Sequence, residues 1–593
     1  MAHIKSRKHN ITSRSLPSTL GATTTASLIT GLALVMPLHA QAQSNTLSEV
    51  EVKSGTASDY KVDHLASPKF TQPLVNTTQT ISVINEQMMQ EQGATTLTEA
   101  LRNVPGVGTF YAGENGNTST GDAIYMRGFD TSSSIYVDGV RDLGSISRDI
   151  FNIDEIDVIK GAAGTDYGRS APTGSINLST KQPKLEDSFS ASVGAGSGSY
   201  KRATVDWNKA LTGYEGAAFR LNLLEQDAGV AGRDEVKNDR WGIAPSLALG
   251  LNTDTRTYLN FLHVKQSNVP DGGVLTMGLP GYSSPDPTAR AYLNNAARVS
   301  SSNFYGTSSD HDDVTADMAT VRIEHDFTPE TTLRNTTRWG QTKQNYLLSS
   351  FMAGTAQLLT PSATDPSTWN ISRNINTKDQ VNKIITNQTN VTTSLVTGTV
   401  KHDISTGLEL TREEQQSYTL ATAGTIPRVS VYNPDSSVSL PSYARTGAHN
   451  DGSTDTYSVY AFDTLKLSEQ WQINGGLRYD YYKTEYETFG TDGASTLALD
   501  KNGGLWNYKI GALYKPAPNG SIYVNYALSQ QPPGGSNFTL STAANNAGNP
   551  NMDPQKAKTL EFGTKWELFD KKLLLTGAIY RTEIENEIVT NSD

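Results

Sequence analysis

The chain has no cysteine. That excludes a disulfide framework, a thiolate-ligated zinc or iron–sulfur site, and a cysteine nucleophile. Positive charge is scarce: 49 Lys and Arg against 60 Asp and Glu leave a formal charge of −11 over 593 residues. Wholesale nucleic-acid binding needs a basic footprint and is excluded on that ground. Apolar residues make up only 36%, low for a conventional buried core. Beyond residue 42 there is no run of about 18 apolar residues, so no spanning helix is expected. What the chain has instead is 50 Gly and 26 Tyr against 15 Phe and 7 Trp, a texture of short strands joined by polar loops. The length allows roughly two to four domains, or one large barrel with an attachment.

The one long apolar run is N-terminal. Lys5, Arg7, Lys8 and Arg14 precede the apolar stretch Ala26 to Leu38, and Ala40-Gln41-Ala42 is a small-x-small cleavage site. Residues 1–42 therefore read as a secretory signal peptide. Without those four basic residues, 45 remain against 60 acidic ones. An exported chain with no later spanning helix is either soluble beyond the inner membrane or a transmembrane β-barrel.

Three zones follow. Residues 43–65 are polar, too poor in apolar side chains to bury a core, and read as a mobile tail. Residues 66–183 read as a mixed α/β domain. Thr96-Leu97-Thr98-Glu99 is a capping box that opens a helix ending before Pro105-Gly106. A second helix is expected over Glu86–Glu91, and strands over Ile81–Ile84, Ile124–Phe129, Ser134–Val137, Ile153–Ile159 and Gly174–Ser179. Asp138-Gly139 signals a tight turn. From about Ser188 onward, alternating segments recur. Trp471, Ile473, Leu477 and Tyr479 interleave with Gln472, Asn474, Arg478 and Asp480; His402, Ile404, Leu408 and Leu410 interleave with Lys401, Asp403, Ser405 and Glu409. Period two puts one set on each strand face. Apolar against charged reads as lipid outside and a wet lumen inside, with Tyr and Trp near segment ends as interface girdles. A soluble β-sandwich is the alternative, but its strands are usually shorter and need fewer charged alternates. Short turns (Leu467–Gln470, Lys515–Asn519) oppose long loops, expected over Ser267–Asp317, Phe351–Thr377, Gln416–Asp455 and Tyr486–Leu505.

The ordered series Gln79-Thr80-Ile81-Ser82-Val83-Ile84, Leu97 to Val107, Met126-Arg127-Gly128-Phe129, Tyr136-Val137-Asp138-Gly139, Ile156 to Gly161 and Tyr167-Gly168-Arg169-Ser170 resembles the TonB-dependent outer-membrane receptors. Thr386 to Asn390, Lys401-His402-Asp403, Gly407-Leu408-Glu409, Asp553-Pro554 and Glu561 to Lys565 resemble the siderophore-receptor branch, nearest the catecholate receptors. The resemblance implies a transmembrane antiparallel β-barrel over 188–593 with an N-terminal mixed α/β plug domain, 66–183, in its lumen. Roughly 15 strand segments are counted, against about 22 in plugged transporters. The final Thr590-Asn591-Ser592-Asp593 lacks the family's terminal aromatic residue, so the expectation is an incomplete barrel.

The resemblance also implies a function, the active import of a ferric siderophore, most simply a catecholate. Import of a ferric hydroxamate or another chelate is the alternative within the class, and a passive porin-like barrel the alternative outside it. Implied partners are TonB with its ExbB/ExbD energising complex, the ferric siderophore and outer-membrane lipid, with no nucleic acid and a monomeric receptor. Iron would travel as the siderophore complex, with no cofactor held by the protein. Thr46-Leu47-Ser48-Glu49-Val50-Glu51-Val52 resembles a TonB box, suited to pairing by strand addition. A tris-catecholate ferric complex is anionic and aromatic-edged, so its pocket should offer Arg, Lys, Tyr or Trp. Three plug loops, Tyr111–Thr120, Phe129–Ser134 and Val140–Ser147, would face outward. Arg141 is the expected anion contact, with Tyr111, Glu114, Asn115 and Asp142 nearby; a surface ion pair of Arg141 with Asp142 or Asp138 is the plainer reading. Arg127 and Arg169, in plug motifs, could form a buried cluster with the lumen-phase Glu409 and Glu561, latching plug to barrel. Nothing reads as a nucleophile and base at one site, so no enzyme is expected. Asp154, Glu155 and Asp157 alternate on a plug strand and do not form a catalytic dyad.

Overall fold

The structure is a computed structural model. It describes residues 60–110, 119–169, 172–352, 354–422, 424–441, 443–535 and 538–587. The candidate TonB box and Tyr111, Glu114 and Asn115 lie outside the described residues.

The first domain runs β1 (Ile81–Asn85), α1 (Glu86–Glu91), α2 (Leu97–Leu101), β2 (Val107–Phe110), β3 (Ala123–Met126), β4 (Phe129–Asp130), β5 (Ile135–Val137), β6 (Val140–Arg141), β7 (Ile153–Lys160), α3 (Gly164–Tyr167) and β8 (Gly174–Thr180). Asn85 caps α1 by accepting from the Met88 N–H at 2.9 Å. The Thr96–Glu99 capping box is formed in full at α2. Sheet order is β1-β7-β8-β5-β6, with β2-β3-β4 as a separate small sheet. Their shared core is Ile84, Leu97, Leu101, Ile124, Met126, Ile135, Ile156, Val158 and Ile176, all buried.

The expected strand Ile124–Phe129 is interrupted. Arg127 (φ 52°) and Gly128 (φ 92°) take left-handed conformations, so the chain turns there and β4 folds back on β3. A second tight turn at Asp138 (φ 48°) and Gly139 (φ 80°) joins β5 to β6 and sets Arg141 opposite Tyr136. Strand β6 falls inside the segment expected to be a loop.

The remaining strands are β9 (Ser188–Ala195), β10 (Lys201–Ala210), β11 (Ala218–Asp227), β12 (Arg240–Leu249), β13 (Thr255–Asn268), β14 (His311–Thr328), β15 (Thr331–Met352), β16 (Leu358–Leu359), β17 (Asn370–Thr397), β18 (Val400–Thr422), β19 (Val429–Ser430), β20 (Tyr443–Lys466), β21 (Trp471–Phe489), β22 (Ser495–Ala517), β23 (Gly520–Gln531), β24 (Gln555–Leu568) and β25 (Leu573–Glu585). They form one antiparallel sheet curled into a barrel around the first domain. The sheet has 17 strands rather than roughly 15; the two extra, β16 and β19, are two-residue strands inside long loops. Among the described residues, β9 is in register with β10 and β25 with β24, and the strand order closes from β25 to β9. β9 is exposed along its length, and β25 is exposed except at the half-buried Leu574, Thr582 and Ile584.

Alternation along the strands is as the sequence reads. Trp471, Leu477, Ile510 and Phe562 are exposed on the outer face, while Arg478, Asp480, Asn507 and Glu561 are buried inside. Outward aromatic rings pair across strands, Trp471 with Tyr514 at 4.8 Å and Tyr479 with Trp506 at 4.7 Å between centroids.

The strands run further than expected. A lipid-crossing strand needs about 9–11 residues, but β17 has 28 and β20 has 24. The expected loop Tyr486–Leu505 is the tip of a hairpin, with β21 ending at Phe489 and β22 starting at Ser495. Above lipid both faces of a strand meet water. The outward phase there carries Arg412, Glu414, Lys483 and Glu485, and the apolar alternation that marks a strand is lost while backbone pairing continues.

Three long connections, β13–β14, β15–β17 and β18–β20, fold together outside the barrel. Trp369, Tyr305, Met277, Leu293, Leu358 and Val431 make a core of their own. Arg373 of β17 ties it: its guanidinium donates to the carbonyls of Tyr305, Gly306, Pro427 and Asp435 at 2.9–3.1 Å. Asp310 clamps the same region, accepting from Thr307 and from both the N–H and hydroxyl of Ser349.

Candidate functional site

Tight turns join the strands at one end of the barrel, so the long connections mark the opposite, outer end. There the first domain and the barrel wall enclose a cavity of about 480 Å³. Each plug segment named from the sequence reaches it, through Ser119 and Thr120, through Asp130, Ser132 and Ser133, and through Arg141 to Ser145. The wall contributes Lys378, Gln380, Asn382, Gln415 and Tyr486. The lining is polar and of mixed charge: the cations Arg141 and Lys378 face it together with Asp122, Asp130 and Asp142, of which Asp122 and Asp142 are held by Arg148, and its size suits a small-molecule solute.

The Arg141 side chain is buried and pairs with the wall. Its Nη1 donates to Glu413 Oε1 at 2.9 Å and its Nε to the Ser133 carbonyl at 3.2 Å. Neither Asp142 nor Asp138 is its partner. Asp142 Oδ2 accepts from Arg148 Nε at 2.5 Å, and Asp138 Oδ2 from Arg338 Nη2 at 2.9 Å. The fully buried Arg148 also donates to Asp122 at 3.0 Å and to the Gly144 carbonyl at 2.9 Å, folding the 142–148 loop around itself as the cavity floor. Asp142 thus serves that loop's structure. Burial outweighs the pull of Arg148 on Asp122 and lifts its carboxyl to about 6.

The latch differs in its pairing from the sequence expectation. Arg127 Nη2 meets Glu561 Oε2 at 2.7 Å, as anticipated, and lies 3.7 Å over the Tyr580 ring. The other Glu561 oxygen accepts from the Thr80 N–H at 2.8 Å and from Tyr523 at 2.8 Å. Arg169, however, pairs with Glu413, whose second oxygen holds Arg141. Glu409 takes Lys69 at 2.6 Å and Arg478 at 2.6 Å. The reason is register: Glu409 and Glu413 stand four residues apart on β18 and share its lumen face, so the Glu nearer the outer end meets the arginines. Glu413, Lys69 and Arg478 were missed. The alternating run Glu409, Thr411, Glu413 could have revealed Glu413, but nothing local marks Lys69.

Further bridges hold the opposite flank. Arg202 of β10 grips Asp149 through two bonds of 2.8 Å, and Arg338 of β15 adds the Val137 carbonyl at 2.5 Å to its Asp138 contact. On the β18–β24 side the wall mostly supplies acids and the plug bases; on the β10–β15 side the wall supplies the bases. Lys181–Asp206 and Lys509–Asp166 are the exceptions. Rotating the plug would set like charges against each other, so the arrangement admits one setting. Lys565 of β24 is fully buried and donates to Leu74 O, Thr77 Oγ1 and Gln79 O at 2.7, 2.6 and 2.9 Å. The segment before β1 is strapped down by Lys61 to Glu567 at 2.6 Å.

Glu155 and Asp157 face the same side of β7. Burial raises both carboxyls, and they share a hydrogen bond. Among the described residues no His, Cys, Asp and Glu group has metal-ligand geometry.

Comparison with known proteins matches two family models. Residues 73–175 match the TonB-dependent receptor plug domain, and residues 246–593 match the TonB-dependent receptor-like β-barrel. The chain is 50% identical over 576 residues to the catecholate siderophore receptor Fiu of Escherichia coli K12, covering 94% of this chain and 75% of that protein. The crystal structure of the ferric-catecholate import receptor Fiu in its closed form superposes with a TM-score of 0.85 at 51% identity, covering 90% of this chain and 78% of that one. The siderophore receptor PiuA of Acinetobacter baumannii gives 0.77 at 30% identity, covering 88% and 75%. A plug seated in a barrel and keyed to its wall, with a polar cavity above it, carries both family signatures in order: the chain belongs to the TonB-dependent receptors of the outer membrane.

Proposed function

We propose that this receptor imports ferric siderophores of the catecholate type, drawing on TonB for the work. The observation that carries this is the filled lumen. Buried pairs at Glu409, Glu413 and Glu561 hold the plug to the wall, each costing about 3–5 kcal/mol to break one-sidedly. A porin-like solute path would have to cross that seal, so passage needs energy from the other side. The polar 480 Å³ cavity presents the Lys378 ammonium to an anionic chelate, while two of its three aspartates, Asp122 and Asp142, are held by Arg148. The relative's name as a catecholate receptor supports the same cargo. Arg141 and the 111–120 loop contribute to recognition, and the Arg127, Arg169, Glu409 and Glu561 groups retain the plug.

Residues 1–42 serve as the export signal and 43–65 as the periplasmic tail. Within that tail, Thr46 to Val52 pairs with TonB, which is energised by ExbB/ExbD. The receptor works as a monomer in outer-membrane lipid, and ferric iron passes as cargo inside its chelate.

The test is iron-limited uptake of a radiolabelled ferric catecholate by a strain lacking its own catecholate receptors and expressing this protein. Accumulation that depends on both the protein and TonB is expected. Uptake indifferent to TonB removes the energised reading; equal uptake of ferric hydroxamate and ferric catecholate removes the cargo class.

A further inference from the structure

Two cations line the outer cavity, and their charges are in different condition. Arg141 is committed. Glu413 and Ser133 take its donors, and Glu413 is itself shared with Arg169. Moving Arg141 onto a ligand would strand a buried carboxylate. Lys378 is half-buried in the lumen phase of β17, the phase that also carries Gln380 and Asn382 into the cavity. Among the described residues no carboxylate lies within ion-pair distance of it. Its ammonium stands 5.4 Å over the ring of Tyr346, its direct partner across β15. The next residue in that row, Asp312 of β14, lies beyond Tyr346 and accepts from Gln344 at 3.1 Å. The Asp312 carboxylate acts on the amine from beyond Tyr346 without forming an ion pair, so the cost of burying the charge is only partly offset until something of opposite sign arrives.

Resting on the siderophore reading above, we propose that Lys378 is the residue that selects the charge of the cargo. Its ammonium makes the principal contact with the anionic iron-bound oxygens of a ferric catecholate, with Tyr346 beneath it holding the amine at the cavity wall. Arg141 is a positioning residue: by bridging to Glu413 it fixes β6 and the start of the cavity floor. A neutral ferric hydroxamate complex would leave the Lys378 charge offset only by the more distant Asp312, so the same residue disfavours it.

The experiment is a binding titration on the detergent-solubilised full chain. The ferric tris-catecholate trianion is followed by fluorescence quenching at several NaCl concentrations, with a neutral ferric tris-hydroxamate in parallel. Lys378→Gln is expected to weaken tris-catecholate binding about tenfold to a hundredfold, the range for a hydrogen bond to a charged group, and to flatten its salt dependence. Lys378→Arg should keep both near wild type, which separates loss of charge from misfolding. Lys383→Gln removes the same charge from the outward phase of the same strand and should change affinity less than twofold. Lys378→Gln binding the trianion as well as wild type, with an unchanged salt slope, overturns the assignment. Wild type binding the hydroxamate but not the tris-catecholate overturns the cargo reading, and the assignment with it.

Discussion

Replacing Glu413 with Gln tests how the plug is held. The substitution keeps shape and removes one charge from β18. In the folded receptor that carboxylate is buried and receives two guanidinium groups, Arg141 at 2.9 Å and Arg169. Arg169 has only neutral partners besides, Thr456 Oγ1 at 3.2 Å and the Gly535 carbonyl at 3.1 Å. Glu413→Gln therefore leaves two buried cations facing an amide. Breaking a buried pair from one side costs about 3–5 kcal/mol, and each 1.4 kcal/mol is a factor of ten. Plug amides that exchange by local release should thus exchange about a hundredfold to a few thousandfold faster. Hydrogen exchange read by mass spectrometry on the detergent-solubilised receptor measures this for β5, β6 and the Arg169 segment, with barrel strands as the internal standard. Pairing Glu413→Gln with Arg169→Gln should recover part of the loss, because the coupled partner is no longer stranded. Exchange within threefold of wild type in the single variant would refute the latch.

Asp122 gives a pH prediction. Its folded carboxyl titrates at about 6, above its ordinary value, so the folded state binds the proton more tightly. Its contribution is present at pH 4 and is lost as pH rises through 6. Subtracting the melting curves of Asp122→Asn from those of wild type at a series of pH values should show that decline, and a flat difference would contradict it. Lys61→Gln should free the strap before β1, raising chymotryptic cleavage at Leu65 and Phe70 at least tenfold while the barrel stays intact; an unchanged cleavage rate would show the strap is held elsewhere. Arg373→Met removes four loop carbonyls' donors at once and should make both the 269–310 and 424–441 segments protease-sensitive together. Sensitivity of one segment alone would show that they do not share a core.

Much of this architecture is legible in the residues. Period-two alternation around Trp471 to Asp480 reports lipid against lumen, because one face must be apolar. The capping box at Thr96 and the turn at Asp138-Gly139 specify local geometry through a few adjacent groups. Legibility fails where the determinant is distant. The strand extensions past lipid have no apolar face to betray them, which is why Tyr486–Leu505 reads as a loop. The kink at Arg127-Gly128 needs a left-handed non-glycine residue, which the neighbouring wall sustains through Glu561. The choice of Glu413 over Glu409 for Arg169 depends on the depth at which the plug sits, a quantity set by every contact together. The commitment of Arg141 to the wall, and with it the role left to Lys378, follows only once β6 and β18 are brought side by side.

The outer crown has a consequence for how such a surface can change. Its three segments bury Trp369, Tyr305 and Val431 in common and are cross-tied by Arg373, Arg290 and Arg428. They form a cassette rather than three independent tips. A graft from a related receptor that brings one segment alone would set foreign side chains against an old core; transplanting all three with β17 as the carrier keeps the cassette whole. Diversification of the outward face is thus channelled to the few solvent-facing stretches, such as Pro287 to Ala289, that lie off the shared core.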